Sequence, residues 1–158
     1  MNQPVLIRIA EPSDARQIMA VINSAFRIAE GFFIGEDRIT LEEVERLFTT
    51  GAFLVAAVDR LLGGCVYVEL RGDRSYLGLL SVDPSQQQTG LGSRLMEAAE
   101  AHCRDAGSQA MDILIVNLRT ELTPFYQRRG YIETGTLPFP PEIETKVPCH
   151  FITMAKSL

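Results

Sequence analysis

Ser81-Val-Asp-Pro-Ser-Gln-Gln-Gln-Thr-Gly-Leu-Gly-Ser93 closes an apolar strand, turns through polar residues and opens an amphipathic helix at Gly90 and Gly92. Backbone N–H groups at a helix start have no partner inside the helix, and the helix dipole puts its positive end there. Such a turn is a cradle for an anion, phosphate above all. Two glycines in three residues let a large ligand come close to the main chain.

Downstream of the cradle, Leu91, Leu95, Met96, Ala98, Ala99 and Cys103 recur on one helical face until Gly107 ends the helix, and residues 110–116 form an apolar strand. Strand, crossover helix and strand in this order predict a parallel, right-handed βαβ unit. Upstream, residues 76–82 read as a central strand covered on both faces. Residues 53–58 and 65–70 read as a hairpin whose turn contains Asp59-Arg60 and Gly63-Gly64. Residues 5–9 predict a first strand. After Glu11-Pro-Ser-Asp14, a helix carries Ile18, Val21, Ile22, Ala25 and Phe26. Residues 31–38 read as a loop or lid. Thr40-Leu-Glu-Glu43 is a capping box that opens a second helix with Leu41, Val44, Leu47 and Phe48 on its buried stripe. Near the C-terminus, Thr123 and Pro124 predict the N-cap and first residue of a short helix over 125–129, closed by Gly130. Strands over 131–136 and 150–154 then flank the proline-rich residues 138–141.

With 158 residues and 46% hydrophobic content, the chain supports one well-buried core. Twenty acidic against 15 basic side chains give a net charge of −5 without a basic stripe, which argues against a nucleic-acid backbone as partner and suits an amine-bearing substrate. Cys65, Cys103 and Cys149 are odd in number, far apart and without zinc-binding spacing, so they read as reduced, packed thiols. The first residues carry neither a basic start nor a long apolar run; a cytoplasmic protein that does not enter membranes is expected.

Spacing separates the phosphate binders that could share the cradle. The Gly-Lys-Ser/Thr of a P-loop is absent, and Leu95 occupies the third-glycine position of a dinucleotide fingerprint. A nicotinamide-dependent oxidoreductase is therefore disfavoured. Gln87-Gln-Thr-Gly90-Leu-Gly92 fits Q/R-x-x-G-x-G/A, and Phe125-Tyr126-x-x-x-Gly130-Tyr131 fits F/L-Y-x-x-x-G-F/Y. With both motifs in the proper order and context, the chain resembles the GNAT family of N-acetyltransferases. The resemblance implies an α/β (α+β) acyl-CoA N-acyltransferase fold in one domain over residues 1–158, with a mixed central sheet of about six to seven strands flanked by about four helices. It also implies transfer of acetyl from acetyl-CoA to a primary amine of a small molecule or peptide, by direct attack in a ternary complex and without a metal. A non-catalytic acyl-CoA-binding regulatory module is the alternative.

By the same resemblance, the sheet splays after the strand ending at Val82. The coenzyme arm would pair with backbone groups of Leu80, Ser81 and Val82, and its pyrophosphate would meet the loop of Gln87, Gln88, Thr89, Gly90, Leu91, Gly92 and Ser93. That loop carries no Arg or Lys, so main-chain donors do most of the neutralisation. Asn117 is expected to bond the coenzyme arm or order the loop, and Arg128 and Arg129, at the end of the short helix, to meet the adenosine 3′-phosphate or else stabilise the helix C-terminus. Tyr126 is the expected acid for the departing thiolate. Tyr76 stands where relatives often place a carboxylate. Glu69, on the neighbouring strand, is the candidate base acting through water, while Glu30, Glu36 and Asp37 beside the lid could hold a cationic acceptor. An exposed strand near the C-terminus could support a homodimer.

Overall fold

In the computed structural model, which describes residues 4–158, the strands lie where their apolar residues find cover on one face or both, except for an exposed edge over residues 132–138. Strand β1 (Val5–Ile9) leads through a single turn at Pro12–Asp14 into α1 (Ala15–Glu30). Helix α1 buries Ile18, Val21, Ile22 and Ala25, the stripe that the spacing predicts. Helix α2 (Leu41–Thr50) starts at Thr40, whose hydroxyl accepts the Glu43 N–H at 3.2 Å. Such a cap contributes about 0.5–2 kcal/mol. The Glu43 carboxylate accepts a hydrogen bond from the Thr40 hydroxyl at 3.1 Å instead of closing the second half of the box on the backbone.

Strands β2 (Ala52–Val58), β3 (Leu61–Arg71) and β4 (Arg74–Val82) form the meander. Alternation along β2 and β3 splits the core in two. Leu54, Ala56, Val66 and Val68 join one cluster, while Phe53, Val55, Cys65 and Tyr67 join the other with α1 and α2. The β2–β3 turn is Asp59-Arg60 alone, with Asp59 at φ +58°. Gly63 and Gly64, expected in the turn, lie inside β3. Their reason is close approach: a Cβ on Gly64 would stand 2.9 Å from Leu95 Cδ1 and 3.0 Å from the Ser81 carbonyl oxygen.

Helix α3 (Leu91–Asp105) crosses the sheet, burying Leu91, Leu95, Met96, Ala99 and Cys103, and hands on to β5 (Ala110–Val116), which runs parallel to β4. Leu95 is wholly buried, and truncating such a leucine costs about 2–5 kcal/mol. Helix α4 (Leu122–Gln127) begins three residues before its expected start. Thr123 caps nothing, because Glu121 holds the N-cap place; Pro124 instead sits third in the first turn, where its missing N–H removes no helical bond. Strands β6 (Ile132–Pro138) and β7 (His150–Ser157) close the sheet in the order β1-β2-β3-β4-β5-β7-β6. All pairs except β4–β5 are antiparallel. This is the mixed seven-stranded acyl-CoA N-acyltransferase sheet with four helices that the resemblance implies. No helix among the described residues is long and apolar enough to cross a membrane. Cys65 and Cys103 are buried and Cys149 half-buried, all three as free thiols; burial pushes the Cys65 thiol up to about 12.

The pairing of β4 with β5 positions the site. It runs only from Arg74↔Ala110 to Leu77↔Ile113, and beyond it the two strands separate. Against β3, β4 slips between the Tyr67↔Gly78 and Cys65↔Ser81 pairs, so β4 carries one extra residue there, and Leu79 takes φ +56°. An extra residue bends its strand and ends regular pairing. A leucine at positive φ is uncommon and strained, the mark of a conformation held by its surroundings.

Candidate active site

The wedge between the parted strands is the wall of a cavity of about 970 Å³. Its lining takes residues 79–82 of β4 and 113–116 of β5 from the wedge, Phe26, Glu30 and Ile34 from α1 and the lid, and Phe139, Ile143 and Phe151 from the C-terminal part of the chain. The Ser81 carbonyl lies toward β3, close to where a Cβ on Gly64 would sit. By the alternation of a strand, Leu80 and Val82 turn their N–H and C=O groups into the wedge. Val82 lends its carbonyl to the Gln87 side chain at 3.4 Å.

At the near end of the wedge, Asp83 caps a turn over Pro84–Gln86 by accepting from the Ser85 N–H at 2.9 Å. Gln88 (φ +66°) and Gly90 (φ +81°) both adopt left-handed backbone, and Gly90 is the N-cap of α3. The twist turns the amides of successive residues the same way. From Gln87 to Ser93, the main-chain N–H groups donate to no protein group among the described residues. A cation from outside the loop, Arg129, reaches it at Ser93, and not only the adenosine end where the sequence places it. Arg129 donates to the Phe125 carbonyl at 2.7 Å, stacks 3.6 Å over the Phe125 ring and bonds the Ser93 hydroxyl at the start of α3. Arg128 is exposed on the same cavity wall.

Tyr126 is buried, 6% exposed, on α4, with its ring edge-on to Phe125 and Tyr131. Its hydroxyl makes no hydrogen bond with the described residues, yet no fully buried side-chain polar atom lacks a partner. The hydroxyl therefore opens on the cavity. Burial pushes it up to about 12, so it keeps its proton at neutral pH.

Tyr76 lines the same cavity. Its ring lies along β4 over Gly78, so closely that a Cβ there would meet the Tyr76 oxygen at 2.5 Å, and the Arg71 guanidinium lies 4.6 Å from the ring centre. Residues i and i+2 share a strand face, and only a glycine at 78 lets this ring lie down. The Tyr-x-Gly spacing was the signal available in the sequence.

The remaining expected residues are placed differently. Glu69 accepts from the Tyr67 hydroxyl at 2.9 Å and from Arg71 at 3.1 Å, outside the cavity wall; the Arg71 hydrogen bond holds its carboxyl below the usual range. Asn117 also stays off that wall. Its side-chain oxygen accepts from the His150 N–H at 2.8 Å and its own N–H donates to the His150 carbonyl at 3.0 Å, tying β5 to the start of β7. Glu36 and Asp37 line the cavity and are exposed, Asp37 being paired with Arg27 at 2.8 Å. Glu30 is buried, 5% exposed, and receives Arg119 at 2.9 Å; burial nonetheless raises its carboxyl above the usual value. Arg119 also pairs with Glu121, so the segment between β5 and α4 brings a cation to the end of α1. No local pattern announces a pair 89 residues apart.

Residues 33–157 match the family described as "Acetyltransferase (GNAT) domain". The chain belongs to that family, and it is an acetyl-CoA-dependent N-acetyltransferase. Over 111 residues it is 25% identical to an uncharacterized N-acetyltransferase of Bacillus subtilis (strain 168), YjcF, covering 70% of this chain and 77% of that one. Its fold matches the crystal structure of Ard1 from Thermoplasma volcanium with a TM-score of 0.80, 19% identity and coverage of 98% and 97% of the two chains. It matches the PaiA N-acetyltransferase of Thermoplasma acidophilum, solved in complex with coenzyme A, with a TM-score of 0.79, 14% identity and coverage of 98% and 99%.

Proposed function

We propose that the chain acetylates a primary amine by direct attack in a ternary complex, with Tyr126 at the leaving sulfur, Glu30 at the amine and the wedge between β4 and β5 as the coenzyme site. The observation that carries this reading is one cavity joining a row of free amides, a parted strand edge and the open Tyr126 hydroxyl. Acetyl-CoA supplies an activated acyl group on a thioester. The chain's residues fit it: the amides of Gln87 through Ser93, with Arg129 at their end and Arg128 beside them, suit a pyrophosphate, and Leu80 and Val82 offer an amide chain the bonds of an added strand.

Tyr126 acts as a donor. A phenol near 12 cannot fully protonate a thiolate whose thiol titrates near 8.5, so its contribution is a hydrogen bond that shares the proton as negative charge grows on sulfur. Tyr76, held down on Gly78, directs its hydroxyl along β4 toward the Leu79 bulge and fixes that side of the reacting group. Glu30 accepts the proton that an attacking ammonium must lose, directly or through one water, because it is the buried carboxylate of the wall and burial favours its protonated form. Glu69 is left to brace Tyr67 and Arg71. We place the enzyme in the cytoplasm, on its acidic charge and unpaired thiols. The fully exposed edge strand β6 is the surface through which two copies would pair.

Release of free thiol from acetyl-CoA, followed across a panel of amines, tests the reading. The parent consumes the thioester with at least one amine; Tyr126→Phe binds coenzyme A as well and turns over about 10²–10⁴-fold more slowly, the usual worth of a positioned proton donor. Tight coenzyme binding with no transfer to any amine would refute it.

A further inference from the structure

Three arginine–carboxylate pairs gather around the acceptor half of the cavity, and one arginine of its wall is left over. Arg119 is spent on Glu30 and Glu121, and Arg27 on Asp37. Arg38 lies on the cavity wall and makes no ion pair among the described residues. Its guanidinium lies 5.5 Å from the centre of the Phe26 ring, which belongs to the same wall. A guanidinium stacked on an aromatic face keeps its planar edge of N–H donors free for a second partner. Arg38 and Glu30 also line one small recess with Phe26, Ile34 and Glu36, and the Arg38 charge works against the burial that raises both Glu30 and Tyr76.

Resting on the acetyltransferase reading above, we propose that Arg38 selects an acceptor that carries a carboxylate a few bonds from its reactive amine, as an amino acid does. A carboxylate takes two parallel hydrogen bonds from a guanidinium edge, which fixes orientation as well as charge. Glu36, exposed, and Glu43, half-buried, lie on the same wall and offer the ammonium end a matching field, while Ile34, Phe139 and Ile143 cover an apolar body. The wall therefore suits a zwitterion with an apolar side chain. A polyamine would place a second cation against Arg38, a repulsive element that works as selection.

The test uses matched pairs that differ only in the carboxylate: L-phenylalanine with 2-phenylethylamine, and L-leucine with 3-methylbutylamine. Each is titrated into the full-length protein loaded with coenzyme A, and binding is read by saturation-transfer NMR. In the parent, the carboxylated member of each pair binds at least about tenfold tighter, the scale of one charged hydrogen bond. Arg38→Gln removes that contrast, Arg38→Lys restores part of it, and neither changes the affinity for coenzyme A. Equal binding within both pairs, or a contrast that survives in Arg38→Gln, overturns the proposal. Thiol release from acetyl-CoA with the same amines separates the two readings. A binding contrast with no transfer to these or any other amine of the panel refutes amine acetylation and leaves the Arg38 site standing, whereas turnover without a contrast does the reverse.

Discussion

Replacing Gly78 by alanine tests whether the Tyr76 hydroxyl belongs to the chemistry. A Cβ at this position stands 2.5 Å from the Tyr76 oxygen, 2.8 Å from Cζ and 2.9 Å from Cε1. Ordinary contact needs about 3.5 Å, so the ring must move by about 1 Å at its hydroxyl end. Tyr76 is attached by two soft torsions, and it can swing away while β4 stays in place. The swing loosens the Arg71 stack, worth about 0.5–1 kcal/mol at an exposed site, which bounds the stability loss well below the cost of a crowded core. Catalysis is less forgiving, since misplacing a group by 1 Å can cost about 10²-fold. Gly78→Ala is therefore expected to lower kcat by about 10–10²-fold with coenzyme affinity unchanged and the unfolding temperature nearly so. Stopped thiol-release assays give kcat, calorimetry gives the affinity, and a thermal scan gives the stability. Tyr76→Phe completes a cycle: if both changes act through one hydroxyl, the double variant is no slower than the worse single one. An undiminished kcat in Gly78→Ala, or fully additive losses, would show that the tyrosine merely fills space.

The acid side supplies two more expectations. Glu30 accepts a proton only when ionised, and burial places its titration above that of an ordinary carboxylate, so kcat should fall as pH drops through that raised value. Glu30→Gln should lower kcat and abolish that acidic limb; a pH profile that keeps its shape in the variant sinks the assignment. For the fold, Arg8 donates to Asp14 at 2.8 and 3.0 Å, and this hydrogen bond holds the Asp14 carboxyl below its ordinary value. A depressed folded value means stabilisation that is complete above the unfolded value near 3.9 and drains away as pH falls through the folded one. Arg8→Gln should lower the unfolding temperature at neutral pH and lose less on going to about pH 3 than the parent does; parallel losses in the two proteins would show that the pair contributes nothing.

What the sequence showed and what it withheld divide along physical lines. Helices α1, α2 and α3 were legible because their stripes repeat locally and their ends carry Pro12, Thr40 and Gly90. The cradle was legible for the same reason, being a single contiguous turn. Gly63 and Gly64 were misplaced because a glycine needed for a turn and one needed for close approach look alike until Leu95 is set against them. Thr123-Pro124 offered a good helix start, yet the chain turns earlier at Arg119, where the ion pair to Glu30 holds it. Glu69 stands opposite Tyr76 but one strand further from the wedge, where Tyr67 and Arg71 hold its carboxylate, and Asn117 lies past the end of β5, turned to the His150 backbone; neither partner is local enough in sequence to announce itself. The slip at Leu79, the Arg129 contact with Ser93 and the unspent charge on Arg38 all come from residues far apart in the chain.

The seam between the two halves of the sheet has a mechanical side. Four paired positions on β4 and β5, together with the helices laid over them, join the hairpin half to the C-terminal half. A guest strand lodged in the wedge would carry the ladder across that seam, so cargo and scaffold would stiffen together. Amide exchange at Leu80 and Val82 would then slow on loading, and the halves would part less readily under load or heat.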